Sequence, residues 1–344
     1  MMQWLRRLAS TRLTLLGMVL LAIGAGLSYG NPADVSAWVL IVPLLFLALN
    51  LLSAIITQPG INRRPGLLLF HLGLLSICIL VAVGRLTYFE ARVEVNQNSA
   101  FDLRAMQDVR QGPWHSGELD KVQFVQRGYT VEYRAGLVRG ATRSHLLIPD
   151  GRGGWSPEVV GDDTPLIMEG YRIYTTFNKG FAAVLTWISE QGEAMTGTIN
   201  MPSYPLFEYK QANSWVPPGS KDEIKFWLRL DTGYDLKADW MLDVAKTHGV
   251  LVVNNGEERV ELQPGQGIDL PGGYLRYEAL STWMGYKIFY DPTLRWLFIA
   301  AMMTVFGLCL HYWNKFKHQP LTQTGEQSVE KAQDRKMNRE VACR

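Results

Sequence analysis

The sequence predicts a membrane protein of four apolar helices with one large antiparallel β domain between helices three and four. Three observations lead there. The mean hydropathy of −0.02 hides a segregation, with apolar runs at both ends of the 344 residues and a polar block between them. Four of the apolar runs reach the roughly 20 residues needed to cross a bilayer. Period-two alternation of apolar and polar residues recurs through the polar block, the mark of half-buried strands.

The spans are expected near Leu13–Tyr29, Ser36–Ile56, Leu67–Leu86 and Thr293–Trp313. The first follows Arg6 and Arg7 as a signal peptide would, but no convincing cleavage site follows, so a retained anchor is expected. It ends at the turn signal Ser28-Tyr29-Gly30-Asn31-Pro32. Span two holds Pro43, a kink signal, and Asn50, which should hydrogen-bond across the bundle. Span three runs into Tyr88 to Val95, where Ala91, Val93 and Val95 alternate with Glu90, Arg92 and Glu94. Further strands are expected at Lys121–Gln126, Tyr129–Arg134, Phe181–Ser189, Ile224–Asp231, Val250–Val253, Val260–Gln263 and Gly285–Tyr290, separated by turn residues. A sandwich or an irregular open barrel would satisfy this pattern. Asp291 and Pro292 read as N-cap and first residue of span four.

Charge sets the expected orientation. Residues 87–292 hold 20 Lys+Arg and 27 Asp+Glu, about −7 in net charge. Of the 14 basic residues elsewhere, twelve fall on one expected side: Arg6, Arg7, Arg12, Arg63, Arg64 and seven from Lys315 onward. The positive-inside rule then gives a multi-pass protein of the plasma (inner) membrane with both termini cytoplasmic. The expected division is 1–86, N-terminus and spans one to three; 87–292, the extracytoplasmic (periplasmic) β domain; 293–313, span four; and 314–344, a cytoplasmic tail.

Few chemical motifs are present. There is no phosphate-binding loop, no H-E-x-x-H and no G-x-S-x-G. The three cysteines, Cys78, Cys309 and Cys343, lie in spans or tail, so the outward domain has no disulfide framework. With no C-x-x-C, thiol exchange is not its task, and with no C-x-x-C-H it is not itself a c-type cytochrome. His115, His145 and His248 read as surface or turn histidines, and His311 and His318 as residues at the inner end of span four. No nucleic-acid partner is expected. His71 stands apart, because it lies roughly 7 Å inside span three, at 1.5 Å of rise per residue. An ionisable side chain there is costly and marks either a functional site or a hydrogen bond to a neighbouring helix. His311 could lie at a comparable depth, and Cys78, seven residues on, shares the His71 face.

Four local patterns give a family likeness. They are Phe70-His71-Leu72-Gly73-Leu74-Leu75, the turn into Glu94-Val95-Asn96, Thr164-Pro165-Leu166 with Gly170-Tyr171-Arg172-Ile173-Tyr174, and Tyr290-Asp291-Pro292. With the architecture, they make the chain resemble the ResB/CcsB-like proteins of system II cytochrome c biogenesis. The resemblance implies a haem-handling subunit that helps carry haem (haem b in transit) across the membrane for attachment to C-x-x-C-H apocytochrome c. It implies a separate CcsA-like partner with a tryptophan-rich motif, since the eleven tryptophans here are scattered. It implies that the chain is not catalytic alone but belongs to a haem lyase complex, and that His71 is the haem-iron ligand. Neutral imidazole suits that role. The competing expectations are an extracytoplasmic binding or scaffold module on a membrane anchor, and a transporter-complex subunit without haem.

Overall fold

The computed structural model describes residues 2–30, 35–205, 210–218, 222–231, 235, 237–254 and 258–317. His318, Cys343, most of the expected tail and the turn at Asn31-Pro32 lie outside these residues. The chain divides into two compact units, residues 1–87 with 292–344, and residues 88–291.

The first unit is helical: α1 (Met2–Leu8), α2 (Thr11–Gly30), α3 (Trp38–Thr57), the single turn α4 (Pro59–Asn62), α5 (Pro65–Thr87) and α6 (Leu294–Lys317). Four of these, α2, α3, α5 and α6, are long and apolar enough to cross a membrane, compatible with a multi-pass membrane protein. Large apolar side chains such as Leu15, Val42, Phe298 and Phe306 stand exposed on them, as a lipid-facing surface requires. Polar side chains are satisfied locally. Ser53, Ser76, Thr87 and Thr304 each donate to the carbonyl four residues back. Asn50 reaches across, donating to Leu8 and Ser10 carbonyls while its oxygen accepts from Thr14. The expected start of span four shifts: Leu297 N–H donates to Thr293, and α6 begins at Leu294 rather than Pro292.

The second unit is all antiparallel β, built as three sheets rather than a two-sheet sandwich or one barrel. Its spine is a pair of long strands, β7 (Tyr171–Ser189) and β15 (Gly273–Tyr290), paired from Gly273↔Ser189 to Phe289↔Arg172 with two register shifts. On the other edge of β15 lies β1 (Phe89–Asn96), in register Phe89↔Tyr290 to Asn96↔Trp283. The first and last strands of the unit are thus neighbours. A hairpin joins β6 (Leu166–Met168) to β7 through Glu169 (φ 50°) and Gly170 (φ 81°). Two consecutive positive φ values define a two-residue turn that glycine makes easy. Two four-stranded sheets complete the unit, one containing β3 (Val125–Arg134) and β4 (Val138–Pro149), the other β10 (Ile224–Asp231) and β12 (His248–Asn254). Their inner faces share one core that includes Val131, Leu146, Tyr171, Phe226, Leu251, Tyr277 and Tyr286.

The expected strand at Lys121–Gln126 is corrected. Leu119–Lys121 is a 3₁₀ turn and β3 starts only at Val125. Val122 and Phe124 are buried, which produced the alternation, but they precede the ladder.

One core position runs against its surroundings. Lys179, on β7, is 2% exposed. Burial, reinforced by Arg139 and opposed by Asp162, brings its ammonium down to about 8. A buried charge without a close counter-ion is costly. Below pH 8 the folded protein carries this cost in full. As pH rises from about 8 to the unfolded value near 10.5, the folded state releases its proton first and stability increases. Lys179→Met should therefore stabilise the protein by about 1–3 kcal/mol at pH 7. Denaturant unfolding followed by tryptophan fluorescence at pH 7 and pH 10 should show that advantage shrinking at the higher pH. An equal or growing advantage would refute the account.

Candidate functional site

His71 occupies the second turn of α5, half-buried. Its Nδ1 lies 2.7 Å from the Leu67 carbonyl oxygen, one turn back in the same helix. A carbonyl can only accept, so a neutral ring carries its proton on Nδ1 and leaves Nε2 with a lone pair. Nε2 makes no hydrogen bond among the described residues. The expected alternative, a histidine bonded to a neighbouring helix, is not what the geometry gives, because the partner is the residue's own helix. Phe70 meets the imidazole edge-on, with ring centroids 5.1 Å apart.

The helix that presents His71 is held by a seam of glycines. A Cβ on Gly66 would stand 2.5 Å from the His311 nitrogen, one on Gly73 would collide with the Thr304 hydroxyl, and one on Gly307 with the Phe70 nitrogen. Backbones can approach this closely only where side chains are missing. Gly66 and Gly73 are seven residues apart and share one face, while His71 lies about 140–160° around the helix from them at 100° per residue. His311 packs at Gly66 and Gly307 at Phe70, so His311 sits about a turn nearer the end of the bundle than His71. The expectation of comparable depth is corrected. Cys78 is half-buried and unpaired, and Cys309 is exposed and unpaired.

The histidines of the β unit do not converge. His145 on β4 and His248 at the head of β12 are exposed. His115 is the turn histidine expected, its N–H closing on the Gly112 carbonyl at 3.1 Å, but it is half-buried rather than at the surface. It stacks on Phe89 at 5.0 Å, and its Nε2 lies 2.8 Å from the Tyr171 hydroxyl. Burial, then Tyr290, pushes that phenol up to about 12. Tyr290 closes the cluster, 5.2 Å from His115 and 4.8 Å from Tyr171. Fifty-six residues separate His115 from Tyr171, so no local signal could have revealed this packing. Among the described residues, no three His, Cys, Asp or Glu side chains could together hold a metal ion.

Residues 51–213 match the ResB-like family, bearing out the resemblance read from the sequence. The match includes the His71 segment, the turn into Glu94 and the Thr164–Tyr174 hairpin. No curated protein matches the chain. Among solved structures the chain is similar to the cytochrome c haem lyase CcmF at 12% identity and a TM-score of 0.29, over 88% of this chain and 35% of that one.

If the glycine seam holds α5 against α6, Gly73→Leu should cost about 1–3 kcal/mol through overpacking. It should lower the thermal midpoint of the purified protein. His71→Gly, off the seam, should leave that midpoint within a degree or two. Equal losses would mean that His71 packs rather than serves.

Proposed function

We propose that the chain is a haem-handling subunit of a system II cytochrome c synthase, working with a CcsA-like membrane partner. The observation that carries this reading is the His71 ring. An imidazole inside an apolar helix, with Nδ1 tied to the backbone and Nε2 unpaired, has the form of an axial iron ligand with its orienting partner in place. The family match over residues 51–213 and the likeness read around His71 support it.

Haem is cargo in this proposal. Its iron would take Nε2 of His71 on one side, and a histidine of the partner would supply the other. A ligand from each chain lets the site open when the chains shift, which release to apocytochrome c requires. The macrocycle is apolar and suited to lie among helices. Thioether formation to the C-x-x-C-H apocytochrome would take place at the partner's outward face, and this chain would supply no catalytic residue.

The proposed topology places both termini in the cytoplasm and residues 87–292 outside, on the skew of basic residues. A single cysteine introduced at Asn98, in a cysteine-free background, should be labelled by an impermeant maleimide added to intact cells. Labelling only after the membrane is opened would overturn the orientation.

The ligand role has its own test. His71→Gly should leave the complex folded, because no backbone hydrogen bond depends on the ring. The Soret absorbance of the purified complex should fall by at least half, and cytochrome c maturation with it. Added imidazole should restore part of both by supplying the missing nitrogen. A variant with normal haem content and spectrum would return the protein to the scaffold or transporter-subunit readings.

A further inference from the structure

A second site lies at the other face of α5. Where α5 begins and α6 ends, a cleft of about 540 Å³ opens between them. Its cations are Arg63, Arg64 and Lys315, with Asn314 and His311 beside them and Gly66 at the wall. We propose that this cleft binds the phosphate headgroup of an anionic phospholipid from the leaflet at the basic end of the bundle.

Four observations lead there. First, the cations lack counter-ions: none of the three forms an ion pair among the described residues, and the described part of this helical unit contains no Asp or Glu. Second, α5 begins here with no acidic residue in its first turn. Pro65 has no N–H, and Leu68 N–H closes on the Arg64 carbonyl at 2.8 Å, which leaves the Gly66 and Leu67 N–H groups without intrahelical partners. Such a terminus favours an anion, and here it adds to three full charges. Third, the end of α6 that carries Asn314 and Lys315 is aromatic. Trp313 is 63% and Phe316 68% exposed, Tyr312 stacks on Phe316, and Lys317 lies over the Trp313 ring at 5.7 Å. Aromatic rings next to cations at a span's end mark the headgroup level of a bilayer. Basic clefts between helices at that level suit lipid phosphates. Fourth, the cleft adjoins Gly66, about 140° around the helix from His71 and about 7.5 Å along it, so it opens to a different side from the proposed iron ligand. The inference does not depend on the haem reading.

The occupant could instead be a soluble anion or carboxylates of the chain's own tail, which holds Glu326, Glu330, Asp334 and Glu340. One experiment separates them. The full-length protein, stripped of lipid in detergent, is titrated with phosphatidylglycerol or with phosphatidylcholine of the same acyl chains, and bound lipid is counted by native mass spectrometry. The wild type should prefer phosphatidylglycerol at least tenfold. Arg63→Gln/Arg64→Gln/Lys315→Gln should lose that preference, at about fivefold per cation removed. Arg63→Lys/Arg64→Lys/Lys315→Arg, which keeps the charge, should hold most of it and shows that the site still folds. Arg6→Gln/Arg7→Gln/Arg12→Gln, the same charge change elsewhere, should leave it intact. The proposal fails if the cleft variant keeps its preference, or if the Arg6/Arg7/Arg12 variant loses as much. It also fails if millimolar inorganic phosphate displaces the lipid completely, which assigns the cleft to a soluble anion. A rise in lipid affinity above tenfold on Glu326→Gln/Glu330→Gln/Asp334→Asn/Glu340→Gln would assign it to the tail and overturn the proposal.

Discussion

Every polar group in an apolar span must find a partner inside the protein, and this constraint organises the helical unit. Serines and threonines answer it with bonds to the carbonyl one turn back. Asn50 answers it by tying α3 to the junction of α1 and α2. His71 follows the same rule with Nδ1, but an imidazole has two nitrogens and the rule is met by one of them. The lone pair on Nε2, in the second turn of α5, is the part of the ring that this bond leaves unmet.

The β unit obeys a different constraint. Its spine is non-local: β1 and β15 are neighbours although 200 residues lie between Phe89 and Tyr290. Ion pairs on its surface, such as Arg229 on β10 with Glu261 at 2.8 Å across the intervening strand β12, are exposed and stabilise little. Stability must come from the aromatic and aliphatic core shared by the three sheets. Burial is what makes Lys179 costly, because the amine has lost its water and Asp162 only partly offsets that loss.

These two constraints explain what could be read in advance. The spans were legible to within about two residues except at the end of span four, where α6 runs on to Lys317, since hydropathy sums over some twenty positions and α5 needs no partner to be recognised. Ile224–Asp231 was legible to the residue, because its alternation is strict and β10 buries Ile224, Phe226 and Leu228 on one side. Strand β4 was missed: its arginines, glycine and serine break the apolar pattern, and it is placed by pairing with β3. Lys121–Gln126 misled for the converse reason, since burial at every second residue occurs in an extended loop as well as in a strand. Of the candidate site, His71 was legible as a polar residue in an apolar run. The lock on its tautomer was not, because that depends on a ring rotamer.

The helix α5 carries these properties on separate faces. Gly66 and Gly73 give it a backbone-to-backbone seam with α6, and a seam without side chains has little room to slide. Near its far end, Ala82 and Leu86 pack with Ile41 and Leu44 of α3. The helix is thus fixed at both levels by small or aliphatic contacts that do not use the His71 ring. The same seam brings Arg63 and Arg64 beside Lys315 at the end of the bundle, so the close approach of two glycine-bearing backbones sets the geometry of the basic cleft as well as the bearing of His71.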